Sequence, residues 1–147
     1  MAATSVTTET PRTIHASCVA HKGRAVLITG ASGSGKSGLA LELIALGAQL
    51  IADDRTTLMR RGDQLIATPP DTIRHQIEAR GIGILAAAAA GPTPVTLVVD
   101  LDHDETERLP PERNTQIQGI TLPLQRKVNA PYFPAAILAY LVHGRIA

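Results

Sequence analysis

The chain has 147 residues, 44% of them apolar and 18% charged, with a formal net charge of +1. That length supports one domain with its own core and is too short for two. The near-neutral balance, the lack of a Lys/Arg cluster and only three aromatic residues (Tyr132, Phe133, Tyr140) exclude a nucleic-acid partner, and no apolar run approaches the ~20 residues of a membrane span.

Residues 1–13, rich in Thr and Ala with Pro11, read as a flexible leader that is neither signal peptide nor anchor; 14–147 form the domain. Ile14–Ala20 predicts a strand. It holds the lone cysteine, Cys18, which permits no internal disulfide and reads as a small buried hydrophobe, so the cytoplasm is the expected compartment. His21-Lys22-Gly23-Arg24 is a tight turn and Ala25–Thr29 a second strand. A glycine-rich loop, Gly30–Ser37, leads into an apolar helix over Leu39–Leu46 that Gly47 stops. Gln49–Ala52 is a short buried-type strand ending in Asp53-Asp54. Thr57–Arg60 and Gln64–Ala67 flank Gly62-Asp63 as a hairpin. After Pro69-Pro70, Asp71 or Thr72 caps a predicted helix running to Arg80, with Gly81 beyond it. The small residues 86–90 give no clear shape. Val95–Leu101 reads as a strand, Asp102–Thr115 as a charged, Pro-broken loop, Gln118–Leu122 as a late strand and Ala135–His143 as a final helix. Strands, hairpins and few helices together predict an α/β domain with a mixed, partly antiparallel sheet.

The strongest chemical signal is Gly30-Ala31-Ser32-Gly33-Ser34-Gly35-Lys36-Ser37, a complete G-x4-G-K-S pattern between a strand and a helix. A polyphosphate needs unpaired amides and the positive end of a helix dipole. Glycines at 30, 33 and 35 let the backbone wrap phosphate oxygens without side-chain interference. Lys36 supplies a point charge to the outer phosphates, and the Ser37 hydroxyl can join Mg²⁺.

Asp53 and Asp54 stand at the carboxyl end of their strand, where an open α/β sheet gathers its chemistry. One can hold Mg²⁺ indirectly and the other can accept a proton from an attacking hydroxyl. A register argument brings in His15. If Lys22-Gly23 is a two-residue hairpin loop, His21 faces Arg24 and His15 falls opposite Gly30, the first residue of the loop. Glu78 and Arg80, near Gly81-Ile82-Gly83, read either as a metal and phosphate pair or as a solvated surface pair.

The order His15-Ala-Ser-Cys-Val, Leu-Ile-Thr-Gly30 through Ser37, Leu50-Ile-Ala-Asp-Asp-Arg55 and Ile77-Glu-Ala-Arg-Gly-Ile-Gly-Ile84 resembles HPr kinase/phosphorylase. These enzymes phosphorylate a serine of the phosphocarrier protein HPr and can reverse the reaction by phosphorolysis. The resemblance implies a single P-loop kinase domain like the family's C-terminal domain, related in fold to phosphoenolpyruvate carboxykinase. It implies that Gly30, Ala31, Ser32, Gly33, Ser34, Gly35, Lys36 and Ser37 bind ATP, with Lys36 catalytic and Ser37 on Mg²⁺. Asp54 is then the base that takes the serine proton and Asp53 its support. Glu78 becomes a second magnesium ligand, His15 a residue near the transferred phosphate, and Arg108, in Glu107-Arg-Leu-Pro, a later catalytic arginine. Leu122–Asn129 falls where the family has a loop tied to dephosphorylation. Ala31 and Gly38 stand where acidic residues are common beside the family's loop. The expectation is a short form holding the kinase core alone, without the N-terminal domain and with shortened C-terminal helices, acting on an HPr-type partner; homo-oligomerisation and phosphorolysis are left open. A small-molecule P-loop kinase and a non-catalytic ATP-binding scaffold are the alternatives.

Overall fold

The turn at Lys22-Gly23 sets the first ladder. Both residues have positive φ, 51° and 76°, the backbone of a two-residue turn whose twist suits antiparallel strands. In the computed structural model, which describes residues 10–71 and 75–147, β2 (Ala16–His21) pairs with β3 (Arg24–Thr29) in the expected register, from His21 opposite Arg24 to Ala16 opposite Thr29. A three-residue strand, β1 (Arg12–Ile14), precedes β2, with the chain bending at His15.

Helix α1 (Lys36–Ala45) follows the glycine loop, and β4 (Gln49–Ala52) returns to pair antiparallel with β2. Gly47, at φ 111°, turns the chain between them while its N–H donates to the Ile44 carbonyl and that of Ala48 to Leu43. The hairpin of β5 (Thr56–Arg61) and β6 (Gln64–Thr68) forms as expected. A second, separate hairpin joins β7 (Gln76–Ala79) to β8 (Gly83–Ala86). The long strand β9 (Thr93–Asp104) then runs parallel to β3. β10 (Asn114–Ile117), β11 (Ile120–Lys127) and α2 (Phe133–His143) complete the domain.

The strand order is β1-β5-β6-β9-β3-β2-β4, with β11 parallel to β9 and carrying β10 on its own edge. The expected mixed sheet is therefore present. Its centre is covered on both faces. Val26 and Ile28 of β3 pack with Leu39 and Leu43 of α1 and Ile137 and Leu141 of α2, while Ala25 and Leu27 pack with Leu58, Leu65, Ile120 and Leu122. Each fully buried Val, Leu or Ile among them contributes about 1.5–3 kcal/mol. That cover holds still the strand ends on which the site is built.

Several expected boundaries move. Arg12 and Thr13 pair with Leu58 and Thr57 instead of ending a leader; the rest of that leader, 1–9, lies outside the described residues. The helix expected over 71–80 is replaced by β7 from Gln76 onward, and its alternative cap, Thr72, is also outside the described residues. Ile77 and Ala79 are buried and Gln76 and Glu78 exposed, so the burial period is that of a strand. Gly81, at φ 85°, is the turn residue of that hairpin and not a helix stop. Asp102–Asp104 extend β9, and Asn114 and Thr115 begin β10. The late strand starts at Ile120, because Gln118 and Gly119, with φ of 50° and 79°, make the β10–β11 turn.

Candidate active site

Where β3 ends, the chain must leave the sheet and double back into a helix, and Gly30 makes that possible. Its φ is 153°, and a Cβ there would come within 2.5 Å of Ser34 Oγ. Gly33 and Gly35 also have positive φ, 83° and 104°. The first intrahelical bond of α1 runs from the Leu39 N–H to the Gly35 carbonyl at 2.9 Å. The N–H groups of Lys36, Ser37 and Gly38 therefore have no partner within the helix, and the start of α1 carries the positive dipole end. No side chain caps it. The buried Lys36 ammonium donates to the Gly30 and Ala31 carbonyls at 2.8 and 3.1 Å, using two of its three donors.

Asp53 is held from three elements. One carboxylate oxygen accepts the Ser37 hydroxyl at 2.6 Å and the Ser17 hydroxyl at 3.1 Å, and the other lies 3.4 Å from the Glu78 N–H. Ser17 also accepts the Asp54 N–H at 3.1 Å, so one fully buried hydroxyl orients both aspartates. Just before them the β2–β4 register shifts: Cys18 faces Ala52 and Val19 faces Leu50, leaving Ile51 as an extra residue, the local bulge that often re-aims chain beside a site.

Asp54 sits in a γ-turn, its φ at 68° and the Arg55 N–H donating to the Asp53 carbonyl at 2.8 Å. Such a backbone costs about 1–3 kcal/mol in a residue other than glycine. The Asp54 side chain lies beside His15, whose Nε2 is 3.3 Å from Asp54 Oδ1 and 3.3 Å from Ser32 Oγ. The β2–β3 ladder ends at Ala16 opposite Thr29, so His15 does not pair with Gly30 as expected; from the bend before β2 its imidazole reaches Ser32 of the loop instead.

A cavity of about 600 Å³ is lined by Ser32, Lys36, Ser37, Asp53, Asp54 and Glu78, with Arg80 and Ile82 at its hairpin side. The expected phosphate loop, acidic pair and Glu78 thus converge on one space, although Glu78 comes from a strand and not a helix. Arg108 is not among them. It lies on the loop between β9 and β10 and lines a different cavity, against Tyr132, Ile137 and Tyr140. Glu105 and Arg113 clasp that loop with paired bonds of 2.9 and 3.0 Å. The guanidinium, chiefly through its hydrogen bonds, holds the Glu105 carboxyl down at about 2 and is itself pushed up.

Ser17 and Asp102 touch the site without having been expected. Ser17 is two residues after His15, in the otherwise apolar run Ala16–Ala20; a hydroxyl in that setting was the available signal. Asp102 accepts the Ala31 N–H at 3.0 Å. Among the described residues, no three acidic, histidine or cysteine side chains converge as a ready-made metal cage, and no helix is long and apolar enough to cross a membrane.

Residues 7–129 match the family described as HPr Serine kinase C-terminal domain. The chain belongs to this family. It is 37% identical over 146 aligned residues to the HPr kinase/phosphorylase of Limosilactobacillus reuteri (strain DSM 20016), covering 90% of this chain and 45% of that one. The HPr kinase/phosphorylase of Alkaliphilus metalliredigens (strain QYMF) is also 37% identical, over 143 residues, with 88% and 45% covered. The chain therefore spans less than half the length of these curated relatives. Among solved structures, the Hpr(Ser) kinase/phosphatase from Coxiella burnetii superimposes with a TM-score of 0.71 at 30% identity, covering 86% of this chain and 91% of that one. This likeness agrees with the mixed sheet and two helices of the α/β fold.

Proposed function

We propose that this domain transfers the terminal phosphoryl group of ATP to a serine of an HPr-type phosphocarrier protein. The observation that carries the reading is the division of labour between the aspartates that line the cavity: Asp53 accepts the Ser37 hydroxyl of the loop, and Asp54 contacts His15. The family and the names of its relatives support the acceptor.

The N–H groups at the start of α1 would cradle the phosphates, with Lys36 released from the loop carbonyls to the outer ones. The donor set fits magnesium, which takes one or two protein oxygens and completes its shell with phosphate and water. Ser37, Asp53 and Glu78, which line the same cavity, would hold it. When bound, magnesium neutralises charge developing on the outer phosphates. Asp54 accepts the serine O–H proton as that oxygen bonds to phosphorus and ADP leaves; His15 and the Asp54 backbone turn hold the carboxylate in place. In the reverse direction, which the names phosphorylase and phosphatase support, protonated Asp54 returns the proton to the serine oxygen.

Incubation with ATP, Mg²⁺ and HPr, followed by intact-mass measurement, tests the reading. HPr should gain the mass of one phosphoryl group on a serine. A folded protein that binds ATP yet leaves HPr unmodified, while phosphorylating a small acceptor, overturns it.

A further inference from the structure

The β3–β9 ladder does not stop where its backbone bonds stop. Four consecutive pairs, from Val26 opposite Leu97 to Thr29 opposite Asp100, keep one register. Continued by two residues, that register places Ala31 opposite Asp102. Gly30 has by then turned the chain out of the sheet, and the bond is made instead by a side chain: the Ala31 N–H donates to Asp102 Oδ1 at 3.0 Å. Asp102 is itself fixed, its N–H donating to Asp100 Oδ1 at 2.8 Å. The other oxygen of Asp100 takes His103 Nδ1 at 2.7 Å.

We infer that Asp102 is a positioning residue for the phosphate loop: its carboxylate fixes the entry of the loop through Ala31 and so aims the amides at the start of α1. The inference rests on the nucleotide-binding reading of that loop. A carboxylate so near bound phosphates opposes their charge, whereas an amide oxygen at the same place would fix the loop without that repulsion. The charge thus strengthens the bond to Ala31 while weakening nucleotide affinity. Geometry and charge are separable by substitution. Asp102→Asn keeps the acceptor oxygen and Asp102→Ala removes it.

Three readouts separate the possibilities: affinity for a fluorescent ADP analogue, amide hydrogen exchange at Ala31 without nucleotide, and phosphoryl transfer. Asp102→Ala should exchange Ala31 faster and weaken ADP binding about tenfold, the scale of one charge-assisted hydrogen bond. Asp102→Asn should protect Ala31 better than the alanine form, though less than the native chain, and bind ADP at least as tightly as the native chain. Equal exchange and affinity in the native and alanine forms overturn the inference, as does an asparagine form that behaves like alanine. Failure of HPr phosphorylation with normal ADP binding counts against the kinase reading and leaves the Asp102 result to stand on binding and exchange alone. A native chain that binds no ADP overturns both.

Discussion

Asp53 and Asp54 leave the same strand but end in different surroundings. One oxygen of Asp53 accepts the Ser37 and Ser17 hydroxyls at 2.6 and 3.1 Å, and the other lies 3.4 Å from the Glu78 N–H, so both are engaged by the surrounding elements. Asp54 has a positive φ, and its side chain is 58% exposed beside His15. In the proposed transfer a proton acceptor must reach the incoming serine, and of the two aspartates it is Asp54 that has that freedom. Asp54→Asn keeps the size and hydrogen-bonding reach of the side chain but removes its basicity. Phosphoryl transfer should fall by about 10²–10⁴-fold, the usual contribution of a general base, while ADP affinity stays within about twofold, because Asp54 makes none of the proposed phosphate contacts. Rapid-quench transfer assays and fluorescence titration measure the two separately. A parallel loss of both would place Asp54 in nucleotide binding instead.

Elements were legible where their signal is local. The Lys22-Gly23 turn fixed a six-pair register from two residues, which ends at Ala16, next to His15. The strand, glycine-rich loop and helix over residues 24–45 were legible for the same reason, since they are contiguous. β7 was not. Asp71 or Thr72, a polar stretch and Gly81 give the same punctuation for a capped helix as for a turn, a strand and a turn. Only the alternation of Ile77 and Ala79 favoured the strand, and four residues are too few to decide a period. Ser17 and Asp102 depend on which strands become neighbours, β2 with β4 and β3 with β9, which no local pattern states.

The β9–β10 loop shows how one clasp governs an element. Glu105, its side chain 3% exposed, is bound by both arms of Arg113 and accepts the Thr106 and Glu107 N–H groups. Its carboxyl therefore sits at about 2 when folded, against 4.5 ordinarily. A depressed folded value means stability present above the unfolded value and lost as pH falls from about 4.5 toward 2. Glu105→Gln should lower the thermal midpoint near neutrality, and the gap to the native protein should close across that acid window. Thermal melts at several pH values measure it; a constant gap would show that the carboxylate charge is not what holds the loop.

At the scale of the molecule, β3 and β9 belong to both apolar layers at once. Val26, Ile28, Leu97 and Val99 face the helices, and Leu27, Val95 and Val98 face β5, β6 and β11. The same two strands end in the phosphate loop and in Asp100 and Asp102, so the site has no support independent of the two cores. Neither layer can lose its packing without loosening strands that the other requires. Leu43, fully buried on the helical side, gives a test. Leu43→Ala should cost about 2–5 kcal/mol by lost burial and a residual cavity. Because the layers share β3 and β9, that loss should reach the far side. Slow amide exchange in β5 and β6 should accelerate by the same factor as in β3 and β9, as global unfolding requires. Exchange measured residue by residue reads this directly. If β5 and β6 kept their native protection while β3 exchanged faster, the layers would be separate cooperative units, and the phosphate loop would depend on the helical one alone.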